Sequence, residues 1–221
     1  MGVNGQAAEF HCWHATSREE ALRKGEYLGV LYGRYLRDGW IVELGCGEGA
    51  FLMWLKHQGN DRVLGVESNE ELCSLGESFG VPMMRADLLE YLSEQPLKKA
   101  VYLYLDVMEH VAFDVNLEVL RKIPVGSRLI VQTPNTQSLL GHEFYFNVPS
   151  HVAAYSPHVI RQMLDRCGYS VVSEGTVTGN HPPTWKNRLR ALFIRHVLGI
   201  EPEKLHGGGN YYVVADRVRE G

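Results

Sequence analysis

The sequence predicts an α/β fold, a mostly parallel open sheet with helices packed on both faces. Three observations carry that expectation. Short apolar runs alternate with amphipathic segments from about residue 40 to residue 167, the pattern of strands joined by crossover helices. One such run, Ile41 to Leu52 (IVELGCGEGAFL), passes from an apolar strand through a glycine-rich turn into an apolar-faced helix. After Gly168 the alternation stops, and YSVVSEGTV and NYYVVADRV read as strands on either side of a long insertion.

The elements follow in order. A first helix opens on Ser17 as N-cap with Glu20 three residues on, a capping box, and runs over 17–38 with Leu22, Tyr27, Leu28, Leu31, Tyr32 and Tyr35 at helical spacing. Strands are expected near 40–45, 62–67, 82–85, 100–106 and 127–133, and helices near 49–58, 70–79, 88–94, 114–123 and 157–167. Between the last two strands, the prolines of HPPTWKNR set off a helix from about Trp185 to Leu198. Its cations Lys186, Arg188, Arg190 and Arg195 meet no acid until Glu201, while Trp185, Leu189, Leu192, Phe193 and Val197 form an apolar stripe. The insertion, about 180–208, reads either as a covering helix or as a lid that recognises an anionic acceptor.

The glycine turn sets the chemistry. Gly45, Gly47 and Gly49 remove side chains where the backbone turns sharply and a ligand can lie against it, and the helix that follows points its N–H groups there. About twenty residues later RVLGV ends in Glu67, and a carboxylate at a strand end can accept from both ribose hydroxyls. These features point to an adenosine derivative. The turn also satisfies the dinucleotide pattern at Gly45-x-Gly47-x-x-Ala50. A pyrophosphate would face Glu48 and Glu43 with no Lys or Arg from Ile41 to Leu55, which disfavours NAD and an NAD-linked reductase. A ligand carrying a sulfonium and an amino group tolerates such a loop.

The order Glu43-x-Gly45-x-Gly47-x-Gly49 resembles the class I S-adenosylmethionine (SAM) methyltransferases, and the resemblance runs from about Ser17 to Val177. Arg85-Ala86-Asp87-Leu88 resembles the family's adenine-contacting acidic turn. VYLYLDVMEHV resembles its fourth strand, RLIVQTPN its fifth, and HVAAYSPHVIRQMLDRCG its last helix and the step into strand six. The likeness implies a seven-stranded Rossmann-like sheet with an antiparallel last strand, and SAM contacts from Arg23, Glu43, Gly45, Cys46, Gly47, Gly49, Glu67, Ser68, Asp87, Leu88 and Asp106. Within the class the chain is similar to ubiquinone-type O-methyltransferases and to those acting on bacterial polysaccharides, where an aromatic run like GHEFYFNVPSH follows strand five. It therefore implies O-methylation of a saccharide or natural-product hydroxyl. The alternatives are a quinone or other small-aromatic O- or N-methyltransferase, and an inactive SAM-binding partner subunit.

On the acceptor side, a hydroxyl must lose a proton, and His110 and His151 are the candidate bases because imidazole titrates near neutral pH. Asp106, Glu109, His110 and His151 also make an O/N ligand set for a divalent cation such as Mg²⁺, and D-x-x-E-H resembles metal-assisted members of the class. The competing reading is that Glu109 and His110 order neighbouring loops. His142 and His181 are further candidates, and alternation along Phe144, Tyr145 and Phe146 would offer an aromatic face for stacking or for the core.

The bulk numbers fit one domain over 1–221. A chain of 221 residues that is 45% hydrophobic can bury one sizeable core. A net charge of −4 argues against nucleic acid as acceptor. Cys12, Cys46, Cys73 and Cys167 are too scattered for a zinc site or a disulfide framework, which suits a reducing cytoplasm. No leader or spanning segment is expected, because the N-terminal run lacks a basic and apolar pattern.

Overall fold

A computed structural model describes residues 14–177 and 208–221. Its centre is a seven-stranded sheet in the order β3-β2-β1-β4-β5-β7-β6. The strands are β1 (Ile41–Leu44), β2 (Val63–Glu67), β3 (Met83–Arg85), β4 (Val101–Leu105), β5 (Arg128–Pro134), β6 (Tyr169–Val177) and β7 (Asn210–Arg217). Pairings from β3 through β5 are parallel, and β7 runs antiparallel to both β5 and β6. The expected mostly parallel sheet with an antiparallel last strand is the architecture found.

The helices are α1 (Arg18–Tyr32), α2 (Ala50–His57), α3 (Glu70–Ser78), α4 (Leu88–Glu94), α5 (Phe113–Lys122), α6 (Leu139–Phe146) and α7 (Pro157–Arg166). Alternation along the buried strands divides them between two faces. Ile41, Val101, Leu103 and Ile130 pack on one side with Ala21, Leu28 and Tyr32 of α1 and Phe51 and Leu52 of α2. Val42, Leu44, Tyr102, Tyr104, Leu129 and Val131 pack on the other with Tyr91 of α4, Leu120 of α5 and Met163 of α7. Each fully buried Leu, Ile or Phe contributes about 1.5–3 kcal/mol, so both layers hold the sheet.

Three expectations need correction. The first helix stops at Tyr32 and continues as a 3₁₀ turn over Gly33–Tyr35, because Arg34 and Tyr35 are drawn into contacts outside the helical phase. Its N-cap is Ser17, but Glu20 reaches back to the Thr16 N–H and hydroxyl instead of to Ser17. The aromatic run after strand five is helical: Ser138 caps α6 by accepting from the Gly141 N–H, so Phe144, Tyr145 and Phe146 radiate around a helix and do not alternate. The insertion's helix, with Lys186, Arg188, Arg190 and Arg195, and also His181 and Cys12, lie outside the described residues. None of the helices among the described residues is long and apolar enough to cross a membrane.

Candidate cofactor and acceptor site

The strand order reverses between β1 and β4, and in an open α/β sheet ligands lie beyond the carboxyl ends of the strands at such a point. The glycine turn sits there. Gly45, Gly47 and Gly49 adopt φ values of 67°, 56° and 70°, a region that side chains rarely enter. A Cβ on Gly45 would also lie 2.9 Å from both Val107 methyls, and one on Gly47 would lie 3.1 Å from the His14 ring. The turn is tied to β2 by Gly45 and Cys46 N–H groups donating to the Val66 carbonyl. Its last residue, Gly49, caps α2 at positive φ with no side-chain cap bond to the first turn of the helix.

Glu67 braces the turn. One oxygen accepts from the Gly47 N–H at 3.0 Å and the other from the Asn69 N–H at 2.9 Å. A carboxylate offers about four acceptor sites, so two remain for a ribose diol. Ser68 follows, exposed at the same strand end. Asp87 is an exposed N-cap of α4: it accepts from the Leu89 N–H at 2.9 Å, and Glu90 accepts from the Asp87 N–H. Leu88 packs partly on the core behind it.

Beneath the turn lies a charge cluster that the sequence misread. Glu48 is fully buried and turned under the N-terminal segment, where it accepts from His14 Nδ1 at 2.8 Å, Lys24 Nζ at 3.0 Å and the Ala15 N–H at 3.1 Å. Burial pushes its carboxyl up, but those donors override burial and leave it at about 2. Its charge is therefore compensated by a cation outside the loop, so Glu48 does not repel a pyrophosphate as the sequence predicts. Glu43 is the uncompensated acid. It is buried, one carboxyl oxygen has no hydrogen-bond partner, and burial lifts it to about 8 against the pull of Lys24.

Two of the expected cofactor contacts turn their side chains toward protein partners. Arg23 is exposed and paired to Glu19 one turn back. Lys24, one residue later, faces the site instead, because it shares a helix face with buried Ala21 and Leu28. The Cys46 thiol is buried among core residues near Met83, and burial raises its pKa, so it faces the core and not a ligand.

Asp106 follows β4 with φ of 55°, one of two described non-glycine residues at positive φ. Its carboxylate is exposed at the strand ends yet ringed by protein, which raises its pKa, while a bond from Gln132 and the charge of Lys24 pull the other way. Gln132 Nε2 donates to Oδ2 at 2.6 Å and Asn210 Nδ2 to Oδ1 at 3.4 Å.

On the other side of Asp106, the chain brings three candidate residues together. Glu109, His110 and His151 each place one ligand-capable atom within 4.8 Å of the others, and the two imidazole centroids are 4.5 Å apart, edge to face. Asp106 does not join them. Glu109 is buried, accepts from the Thr133 hydroxyl at 3.0 Å, and is raised to about 8 by burial and by the nearby charge of Asp106. His151 Nδ1 lies 2.7 Å from the Tyr145 carbonyl, which makes Nδ1 the protonated nitrogen and leaves the Nε2 lone pair. Burial lowers its pKa.

The loop that carries Glu109 and His110 is pinned by a residue the sequence did not flag. Asn116 of α5 is fully buried. Its Nδ2 lies 2.9 Å from the Met108 and Val111 carbonyls and from the Tyr155 hydroxyl, and its Oδ1 accepts from the Tyr104 hydroxyl at 2.7 Å. The Glu109 carbonyl in turn accepts from the Val152 and Ala153 N–H groups, which seats His151 beside His110. His142 is exposed on α6 with its ring against Phe146, away from this group.

The chain matches no protein-family model and no curated protein. Solved structures do resemble it. A SAM-dependent methyltransferase from Archaeoglobus fulgidus is 22% identical with a TM-score of 0.69, covering 89% of this chain and 96% of that one. Geranyl diphosphate C-methyltransferase from Streptomyces coelicolor, solved with Mg²⁺, geranyl diphosphate and S-adenosylhomocysteine, is 17% identical with a TM-score of 0.58, covering 96% and 88%. Magnesium protoporphyrin IX methyltransferase from Synechocystis, solved with S-adenosylhomocysteine, is 16% identical with a TM-score of 0.56, covering 90% and 82%. The chain thus has the fold of the class I SAM-dependent methyltransferases.

Proposed function

We propose that this chain binds SAM on the glycine turn and transfers its methyl group to a hydroxyl of a small-molecule acceptor, a saccharide or natural-product hydroxyl in the first instance. The observation that carries the reading is the placement, at the carboxyl ends of the strands beside one switch point, of the glycine turn, Glu67 and Asp106 together with the imidazole pair of His110 and His151. The adenosine end would lie against the turn with its diol on Glu67, and the positive amino-acid end and sulfonium near Glu43 and Asp106. Lys24, already bonded to Glu48, would be the cation for the α-carboxylate. Transfer is an in-line displacement: the acceptor oxygen bonds to the methyl carbon as the carbon–sulfur bond breaks, and the hydroxyl proton passes to the free Nε2 of His151. The products are the methyl ether, S-adenosylhomocysteine and a protonated imidazole that returns its proton to solvent.

The fold hosts varied acceptors, a tetrapyrrole in one neighbour and a prenyl diphosphate in another, so the acceptor class rests on the chain's own residues. Phe144, Phe146 and Phe113 stand 44%, 77% and 47% exposed, and exposed aromatic rings of this kind would favour an apolar-faced molecule. A panel of saccharides, quinols and small aromatic amines, read by S-adenosylhomocysteine release and product mass, tests it. Turnover of amines or quinols alone would replace the saccharide reading with the aromatic one.

A second reading rests on the 4.8 Å cluster of Glu109, His110 and His151. One carboxylate and two imidazoles suit Zn²⁺, Mn²⁺ or a similar divalent ion better than Mg²⁺, which prefers oxygen ligands throughout. Such an ion would take the imidazole lone pairs and lower the hydroxyl's pKa itself, so this route is an alternative to the histidine base. Chelation followed by Zn²⁺, Mn²⁺ or Mg²⁺ add-back separates them, since unchanged turnover after chelation eliminates the metal route.

A further inference from the structure

The Asp106 carboxylate is held from three elements at once. Gln132, its neighbour across the β4–β5 ladder, grips it twice: the Gln132 carbonyl accepts from the Asp106 N–H at 2.9 Å, and its side-chain Nε2 donates to Oδ2 at 2.6 Å. Asn210, the first residue of β7, donates to Oδ1. The Gln132 amide is oriented by the Tyr32 hydroxyl of α1, which donates to its Oε1. Gln132 and Tyr32 are buried, at 3% and 0% exposure, so this is an interior network ending in one exposed carboxylate.

Such an arrangement asks for an explanation beyond packing. A residue at positive φ is kept there by its surroundings, and here the surroundings are two side-chain amides that each occupy one carboxylate oxygen. Amides donate without bringing a compensating charge, so the carboxylate is fixed in direction while its negative charge stays available. Two of its roughly four acceptor sites remain. Lys24, Glu48 and Asp106 all act on Glu43, and Lys24, bonded to Glu48, also acts on Asp106, so three acidic residues and one ammonium share this corner. With Lys24 bonded to Glu48, the acidic excess of this corner complements an ammonium group.

We infer that Gln132 and Asn210 form an amide clamp, oriented by Tyr32, that presents the Asp106 carboxylate to the α-ammonium group of the cofactor's amino-acid end. Asp106 touches the cofactor; Gln132, Asn210 and Tyr32 are positioning residues. The inference rests on the SAM reading above and makes a demand that the reading does not: binding must depend on the amino-acid end. Methylthioadenosine, which keeps the adenosine and sulfur but lacks that end, separates the two.

The experiment is calorimetric titration of the full chain with S-adenosylhomocysteine and with methylthioadenosine. Wild type should bind the former at least tenfold more tightly. Asn210→Ala and Tyr32→Phe should each lose affinity for S-adenosylhomocysteine by about three- to tenfold and leave methylthioadenosine unchanged. Gln132→Leu should lose more; circular dichroism and melting of each variant report whether it is folded, and the two milder substitutions carry the test if Gln132→Leu is not. Equal losses for both ligands, or no loss for either, would overturn the clamp. Equal wild-type affinity for the two ligands would overturn it as well while leaving adenosine binding intact. Failure of wild type to bind either ligand would instead overturn the SAM reading.

Discussion

The His110 and His151 rings meet edge to face at a centroid distance of 4.5 Å, although they arrive from the loop after β4 and the loop before α7. The contact is built by the Glu109 carbonyl, which binds the Val152 and Ala153 N–H groups, and by the Tyr145 carbonyl, which fixes the His151 tautomer. Replacing His151 by Gln keeps a polar side chain but removes the titrating base. Turnover should fall by about 10²–10⁴-fold. Cofactor affinity should not change, and a loss confined to affinity would remove His151 from the chemistry.

The same histidine sets the acid limb of the rate. A base must be neutral to accept a proton, and burial lowers the His151 pKa from 6.5. Plotted against pH, the acid limb of kcat/KM should therefore be centred below 6.5. A limb centred above 6.5 would assign the proton transfer to another group.

Glu43 ties cofactor binding to proton release. Raised to about 8, it is mostly protonated at pH 7 in the unliganded protein. A cationic ligand beside it favours the anion, so binding at pH 7 should release up to about one proton. Calorimetry in two buffers of different ionisation enthalpy measures that number. Glu43→Gln, which keeps the shape and the neutral state, should bring it near zero.

Glu48 governs acid stability. Its folded value is about 2 against 4.5 in the unfolded chain, a depressed carboxylate, so its contribution is present above 4.5 and is lost as pH falls toward 2. The shift corresponds to roughly 3 kcal/mol. Glu48→Gln should lose about that much at pH 7 in denaturant unfolding, and the gap to wild type should close between about pH 4.5 and 2. A gap independent of pH would mean that packing, not charge, is what the substitution removes.

Asn116→Ala leaves the Met108 and Val111 carbonyls and the Tyr104 hydroxyl without their buried partner. The expected cost is about 3 kcal/mol, or roughly 6–12 °C in Tm. Because the loop it pins carries Glu109 and His110, turnover should fall with it even where the variant is fully folded. A folded variant with wild-type turnover would show that the loop holds its shape without Asn116.

Much of this was legible in the residues because it depends on local pattern. The strand–turn–helix at Ile41 to Leu52, the Glu67 strand end and the alternation up to α7 are set by periodicity and glycine chemistry, and the sheet follows from them. The errors came where distant chain decides. Lys24 gave no signal of its own, although Ala21 and Leu28 mark the helix face that it shares. A loop-only view of Glu48 could not include the cation donated by α1. FYF in α6 looks the same as a strand until Ser138 is recognised as an N-cap. Gln132 and Asn116 carried no signal, since a buried amide is meaningful only by what it bonds.

The account turns on what the glycine turn binds. Titration of the purified chain with SAM, S-adenosylhomocysteine and NADH in parallel tests it most directly. Micromolar affinity for the two sulfur ligands, with no heat from NADH, is the predicted result. Binding of NADH alone would contradict the assignment of the site and every step built on it.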